Sequence, residues 1–233
     1  MYLNLGFTFN GVEYRLTPAV GNTLLFVLIL CIVSIVIGSR VKKADFREKP
    51  KGLVLIAEIF VTTIENLTID TMGKANYRFA PYIGALATYL AVANLSGLLG
   101  FVPPTSDYNV TLGLSLITFF LIHFNNIRFN GIKNYVKGYF EPMAFLFPIN
   151  LLGEIATPIS LSFRLLGNIL SGAIIMSLVY GAFKGISVLL APVLTPFLHA
   201  YFDIFSGVLQ TFIFIMLTMV FISNGIGDRE EIE

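Results

Sequence analysis

Charge is scarce in this sequence. Only 12% of its 233 residues are Asp, Glu, Lys or Arg, against roughly 25% in soluble domains. With 56% hydrophobic residues and a mean hydropathy of +0.81, that shortage excludes a soluble globular protein. What remains is an all-α polytopic membrane protein, read as a single membrane domain over 1–233. A formal net charge of +1 gives no basic footprint for nucleic acid. The single cysteine, Cys31, excludes an internal disulfide. No zinc-ligand spacing, Walker-type glycine loop or Ser–His–Asp constellation is present, so neither metal nor cofactor is expected. The amino terminus has no basic region leading into a short apolar core, and Glu13 and Arg15 sit inside it. No cleaved signal peptide is expected.

Long apolar runs fill the rest. About 20 residues cover the hydrocarbon core, and residues 18–39 form the first such run. It follows a short mixed segment, 1–17. A charge cluster closes it: Arg40, Lys42, Lys43, Asp45, Arg47, Glu48, Lys49 and Lys51, mostly basic. The positive-inside rule makes this loop cytoplasmic and the amino terminus external. Residues 53–73 are apolar but interrupted by Glu58, Glu65 and Asp70. Glu58, Thr62 and Glu65 share one helical face, while Ile56, Ile59, Phe60 and Leu67 occupy much of the other. That pattern predicts an amphipathic interfacial helix rather than a span. Residues 82–101 and 110–124 are the next two spans, joined by a turn-rich outer loop carrying Asp107 and no base. A basic loop with Arg128, Lys133 and Lys137 follows, and His123 before it reads as an interface residue. Residues 143–180 and 186–223 are two very long segments around a glycine-flanked turn, predicting a tilted hairpin, the first helix either tilted or broken at Pro148 or Pro158. Residues 224–233 form a polar cytoplasmic tail. The total is about five transmembrane helices and one interfacial helix.

One residue does not belong in such a chain. Arg164 lies within the apolar run 148–172, with no acid three or four positions away. A cation at membrane depth costs about 3 kcal/mol on insertion scales. Ser160 and Asn168 lie one turn either side of it, and Thr157, Glu154, Asn150 and Ser171 continue the same stripe. Serines and asparagines of this kind also knit helices together, and Glu154 also reads as a carboxylate at a wet rim. On the last segment the stripe is Thr195, His199, Asp203, Ser206 or Gly207, then Gln210. His199 and Asp203, four apart, share a face; they are either a self-satisfied pair or part of an ion relay. Glu154 belongs to the cytoplasmic half of its helix and Asp203 to the outer half of the next. Two polar paths thus enter from opposite faces, with a fixed cation between them. No carboxylate in this chain is free to carry an ion past Arg164, so a partner with its own carboxylate is implied.

The stretches PISLSFRLLGN and LQTFIFIMLTMVFIS resemble subunit a of the F-type ATP synthase, bacterial or plastid style. VANLSGLLGF and PPTSDYNVTLGLSL resemble it too, and the likeness runs from about residue 18 onward. The resemblance implies an ion-channel stator, non-catalytic on its own, that carries protons or sodium ions through two offset half-channels. Its implied partners are a ring of c subunits, peripheral-stalk b subunits and the remaining synthase subunits in the cell membrane. Arg164 matches the arginine facing the ring carboxylates. Asn168 and Gln210 match polar residues beside it, Asn94 an outer half-channel residue and Ser160 a serine on the cytoplasmic side. Glu154 aligns with the acidic end of the segment before the proline. Two positions depart from the pattern. Ala173 stands where many bacterial relatives carry glutamate, and Asp203 where histidine is common. Asp203, with His199 beside it, is then expected to serve the outer entry. The alternative is a stand-alone secondary transporter or channel using His199, Asp203 and Glu154 itself.

Overall fold

The structure is a computed structural model describing residues 6–9, 12–15, 17–43, 50–140, 143–186 and 191–226. Helices account for nearly all of it. The addition to the expected helices is a short antiparallel hairpin in the mixed amino-terminal segment: β1 (Gly6–Phe9) pairs with β2 (Val12–Arg15), Gly6 opposite Arg15. The helix α1 (Pro18–Lys43) opens on proline, whose missing N–H costs nothing in a first turn. It runs past the expected end and takes Arg40, Lys42 and Lys43 into its last turn, where cations complement the helix dipole. Asp45, Arg47, Glu48 and Lys49 lie outside the described residues.

Five helices are long and apolar enough to cross a membrane: Pro18–Lys43, Lys74–Leu99, Tyr108–Gly138, Phe147–Phe183 and Thr195–Asn224. The helix α2 (Leu53–Met72) is not among them. Its buried side is Ile64, Thr68 and Met72, at four-residue spacing, while Ile56, Ile59 and Phe60 are exposed. Of the apolar side expected to anchor it, Leu67 alone packs against the core, partly buried. The helix α3 (Ala80–Leu95) is the central one, with Ile83, Ala87, Leu90 and Asn94 buried along one line. It packs on α7 (Ser206–Ile226), whose Phe214, Ile215, Met219 and Ile222 complete the core with Leu161 and Leu165 of α5 (Phe147–Ile186).

Three boundaries differ from the sequence reading. The helix α4 (Tyr108–Gly138) continues through the basic stretch expected to be a loop, and Arg128, Lys133 and Lys137 are helical. It is interrupted once, at Gly131, with φ 75° and ψ 153°. That combination is essentially restricted to glycine. The helix α5 has 40 residues and includes the expected turn at 181–185. At 1.5 Å per residue it is about 60 Å long, twice the ~30 Å hydrocarbon core, so it runs steeply tilted or leaves the membrane. Neither Pro148 nor Pro158 ends it; Pro158 only withholds a hydrogen bond from the Glu154 carbonyl. The last segment comprises α6 (Ala191–His199), a π-helical stretch over Ala200–Phe205, and α7. Residues 187–190 and most of the tail, 227–233, lie outside the described residues.

Candidate functional site

Helix α5 turns Leu161 and Leu165 into the core and, by the same periodicity, turns Ser160 and Arg164 outward. Arg164 is exposed, with exposed Phe163 beside it. Among the described residues it makes no hydrogen bond or ion pair. Asn168, one turn on, accepts a 2.5 Å hydrogen bond at Oδ1 from the Ser206 hydroxyl. A further turn along, Gly172 lies against Phe202, with 3.8 Å between the Phe202 Cβ and the position a glycine Cβ would take. These two contacts set the antiparallel register of α5 against the last segment. Extended one turn the other way, that register puts Gln210 level with Arg164. Gln210 is buried, and its Nε2 has no hydrogen-bond partner.

Asn94 is held from three sides. Its Nδ2 donates to the Thr211 hydroxyl at 3.1 Å and the Gly207 carbonyl at 3.3 Å, and its Oδ1 accepts from Thr105 at 3.0 Å. Gly207 packs closely on Asn94: a Cβ at 207 would lie in ordinary contact with the Asn94 Cβ, at 3.5 Å. Asn94 therefore ties the loop carrying Thr105, α3 and α7 together.

Towards the far end of the hairpin, His199 Nδ1 lies 2.5 Å from Asp203 Oδ2, and His199 Nε2 lies 2.8 Å from the Tyr180 hydroxyl of α5. Asp203 falls inside the π-helical stretch, a local geometry frequent at functional sites. Ala173 is exposed on α5.

Glu154 sits at the other end, partly exposed. It accepts a hydrogen bond from the Tyr139 hydroxyl. Tyr139 meets the Tyr135 hydroxyl at 2.5 Å, and Tyr135 meets His123 Nδ1 at 3.0 Å. Asn150 secures Tyr139 by donating to its backbone carbonyl at 2.9 Å. Burial first, then the bond to Glu154, pushes the Tyr139 phenol well above its ordinary pKa. The sequence reading missed Tyr135 and Tyr139. They stand four apart near the end of α4, and only the reversal at Gly131 brings them back to His123. His123 packs inside this group, with Phe119 at 4.0 Å between ring centres. Among the described residues, no three His, Cys, Asp or Glu side chains come together to hold a metal ion.

The fold and site define a helical, multi-pass membrane protein with two separated ionisable groups and, between them, a cation unpaired among the described residues. The sequence model of one family, ATP synthase A chain, matches residues 22–223. The chain is 39% identical over 212 residues to the sodium-ion-specific ATP synthase subunit a of Propionigenium modestum, covering 81% of this chain and 71% of that one. It is 35% identical over 213 residues to ATP synthase subunit a of Mycoplasma pneumoniae, at 82% and 73% coverage. Against the subunit of Geotalea daltonii it is 31% identical over 221 residues, covering 93% and 90%. The chain belongs to the ATP synthase A chain family. It is the non-catalytic, ion-translocating subunit of the synthase's membrane sector and works within that complex.

Proposed function

We propose that this subunit passes protons or sodium ions through two offset half-channels to and from the carboxylates of a rotating c-ring. The outer path runs by Asn94, His199 and Asp203; the inner path runs by Ser160 and Glu154. Arg164, with Asn168 and Gln210 beside it, separates them. An ion entering from outside loads a ring carboxylate, and the ring turns. On reaching Arg164 the carboxylate ionises, because an opposite charge nearby lowers its pKa. The released ion leaves past Glu154, and the fixed cation blocks a direct leak between the paths. The observation that carries this reading is the exposure of Arg164 on the outward side of α5 with no counter-charge among the described residues. The amino terminus lies outside and the tail in the cytoplasm; the basic residues at 40–43, 74–78 and 128–137 against Asp107 in the opposite loop support that orientation. An apolar cleft of about 800 Å³ between α1, α2 and α3, lined by Leu30, Cys31, Phe60, Val61 and Thr88, supports a seat there for a peripheral-stalk b helix.

The test is ATP-driven ion uptake by inverted vesicles carrying the assembled complex with Arg164→Ala. Coupled uptake is expected to disappear while complex content stays the same. Uptake that remains coupled to hydrolysis rejects the charge-separator role.

A further inference from the structure

A side-chain amide beside a fixed cation has two faces, and only one of them suits an anion. Asn168 stands one turn from Arg164, about 6 Å along α5, close enough for one ligand to meet both. An asparagine Oδ1 accepts and its Nδ2 donates. Which atom is left open therefore decides whether Asn168 helps or opposes a carboxylate there. Ser206, the first residue of α7, makes that choice by donating its hydroxyl to Asn168 Oδ1 at 2.5 Å across the hairpin. The Asn168 backbone carbonyl is occupied as well, by the Ser171 hydroxyl at 3.1 Å. Both acceptors of Asn168 are thus engaged, and Nδ2 is left over. It has no hydrogen-bond partner among the described residues and, unlike Gln210 Nε2, it is not enclosed by the protein.

We propose that Ser206 is a positioning residue: by holding Asn168 Oδ1 against α7, it presents the Asn168 amide N–H groups, together with the Arg164 guanidinium, to the ionised ring carboxylate. This positioning role rests on the role assigned to Arg164 above and adds the residue that orients its neighbour. An ionised carboxylate only accepts hydrogen bonds. The guanidinium and Asn168 Nδ2 only donate, so together they favour the form that has released its ion. With the Ser206 hydroxyl removed, the amide is free to turn over. Its oxygen then faces the carboxylate and favours the ion-loaded form. Ser206 acts through Asn168 and not on the ion. Few other titratable groups face this level of α5. Helix α7 carries none over Ser206–Ile226, and neither does the short turn Pro104–Ser106 that packs on α5. On the last segment, Asp203 and His199 are bonded to each other at 2.5 Å. Helix α4 brings Tyr108, whose ring lies 5.4 Å from that of Phe163, while its His123 lies beside Glu154.

The experiment uses assembled complex in inverted vesicles with Ser206→Val and Ser206→Thr, a pair alike in shape of which only threonine keeps a hydroxyl. Subunit content and ATP hydrolysis by the uncoupled enzyme control for assembly. ATP-driven uptake is measured against the concentration of the carried ion on the cytoplasmic side, which is the outside of these vesicles. In Ser206→Val the half-saturating concentration is expected to fall about tenfold, because losing one N–H donor strengthens a carboxylate's hold on its ion by roughly that factor. For protons this is a shift of about one pH unit upward. Ser206→Thr is expected to keep the wild-type value. A packing defect lowers the maximal rate and leaves the half-saturating concentration in place. A cycle with Asn168→Ala identifies the residue through which the hydroxyl acts: once the amide is gone, Ser206→Val should not move that concentration further. An unmoved value in Ser206→Val overturns the positioning role. So does an equal shift in Ser206→Thr, or a shift that persists in full in the Asn168→Ala background. Coupled uptake in Arg164→Ala is a separate failure, of the charge-separator role itself, and takes this inference with it.

Discussion

Asn94 is buried, and its side-chain amide is hydrogen-bonded at both the nitrogen and the oxygen. Asn94→Ala strands the Thr105 hydroxyl and removes the bonds to Thr211 and Gly207. Leaving buried polar groups unpaired costs about 1–3 kcal/mol, so a lower thermal inactivation temperature of the purified complex is expected. A change in ion uptake with unaltered stability would instead make Asn94 primarily a channel residue. Asp203 is partly exposed and held by His199. Asp203→Asn keeps the side-chain shape but not the charge. It should slow ion entry from outside more than release inward, as measured by synthesis and ATP-driven uptake in the same vesicles. Equal losses in both directions would contradict an outer-path assignment. The isolation of Arg164 and the pairing of His199 with Asp203 were legible in the sequence, because both follow from spacing along one helix. The partners of Glu154 were not, because they reach it through a chain reversal that no periodicity announces.

That reversal belongs to the element. Gly131 has open space around it, so an added methyl group meets no neighbour; the obstacle is backbone conformation alone. Gly131→Ala is expected to cost about 1–3 kcal/mol, the range for a non-glycine residue forced into such a conformation. It should also release the Tyr135–His123 contact. Gly138→Ala, in the same helix with equally open surroundings and ordinary backbone, is expected to be neutral or slightly stabilising. Thermal melting of the two variants side by side distinguishes conformational strain from simple bulk. The same stretch shows why helix existence was easier to read than helix extent. Hydropathy marks only the part of a helix that lipid surrounds. Lys and Arg are good helix formers, so α1 continues through Arg40–Lys43 and α4 through Arg128–Lys137. Glycine at 181 and 185 suggested a turn, yet α5 absorbs it and ends at Ile186. Pro158, the strongest breaker in the sequence, leaves α5 unbroken.

At the scale of the whole molecule, exposed apolar surface says little, since lipid covers it as readily as protein. Leu28 and Ile35 on α1 are as bare as Leu178 on α5. What differs is the polar content of the two sides. From residue 24 to residue 36, α1 exposes apolar side chains with no charge among them. The outward side of α5 presents Ser160, Arg164 and Ser171, all exposed. A polar line with a cation needs a partner that answers it; in the proposed function that partner is a passing ring carboxylate. Cys31 lies in the cleft between α1, α2 and α3, the seat proposed above for a stalk helix. One experiment tests both surfaces. A photo-crosslinker attached at Ser160→Cys or Ser171→Cys, in a Cys31→Ser background, is expected to capture the small ring subunit. The same reagent on native Cys31 is expected to capture a stalk subunit and no ring subunit. Reaction cycles driven by ATP should spread the ring crosslinks over successive copies and leave the stalk product unchanged, because only one of the two surfaces faces a moving partner. Ring capture from Cys31, or none from the α5 positions, would place the rotor on the α1 side and remove Arg164 from its path.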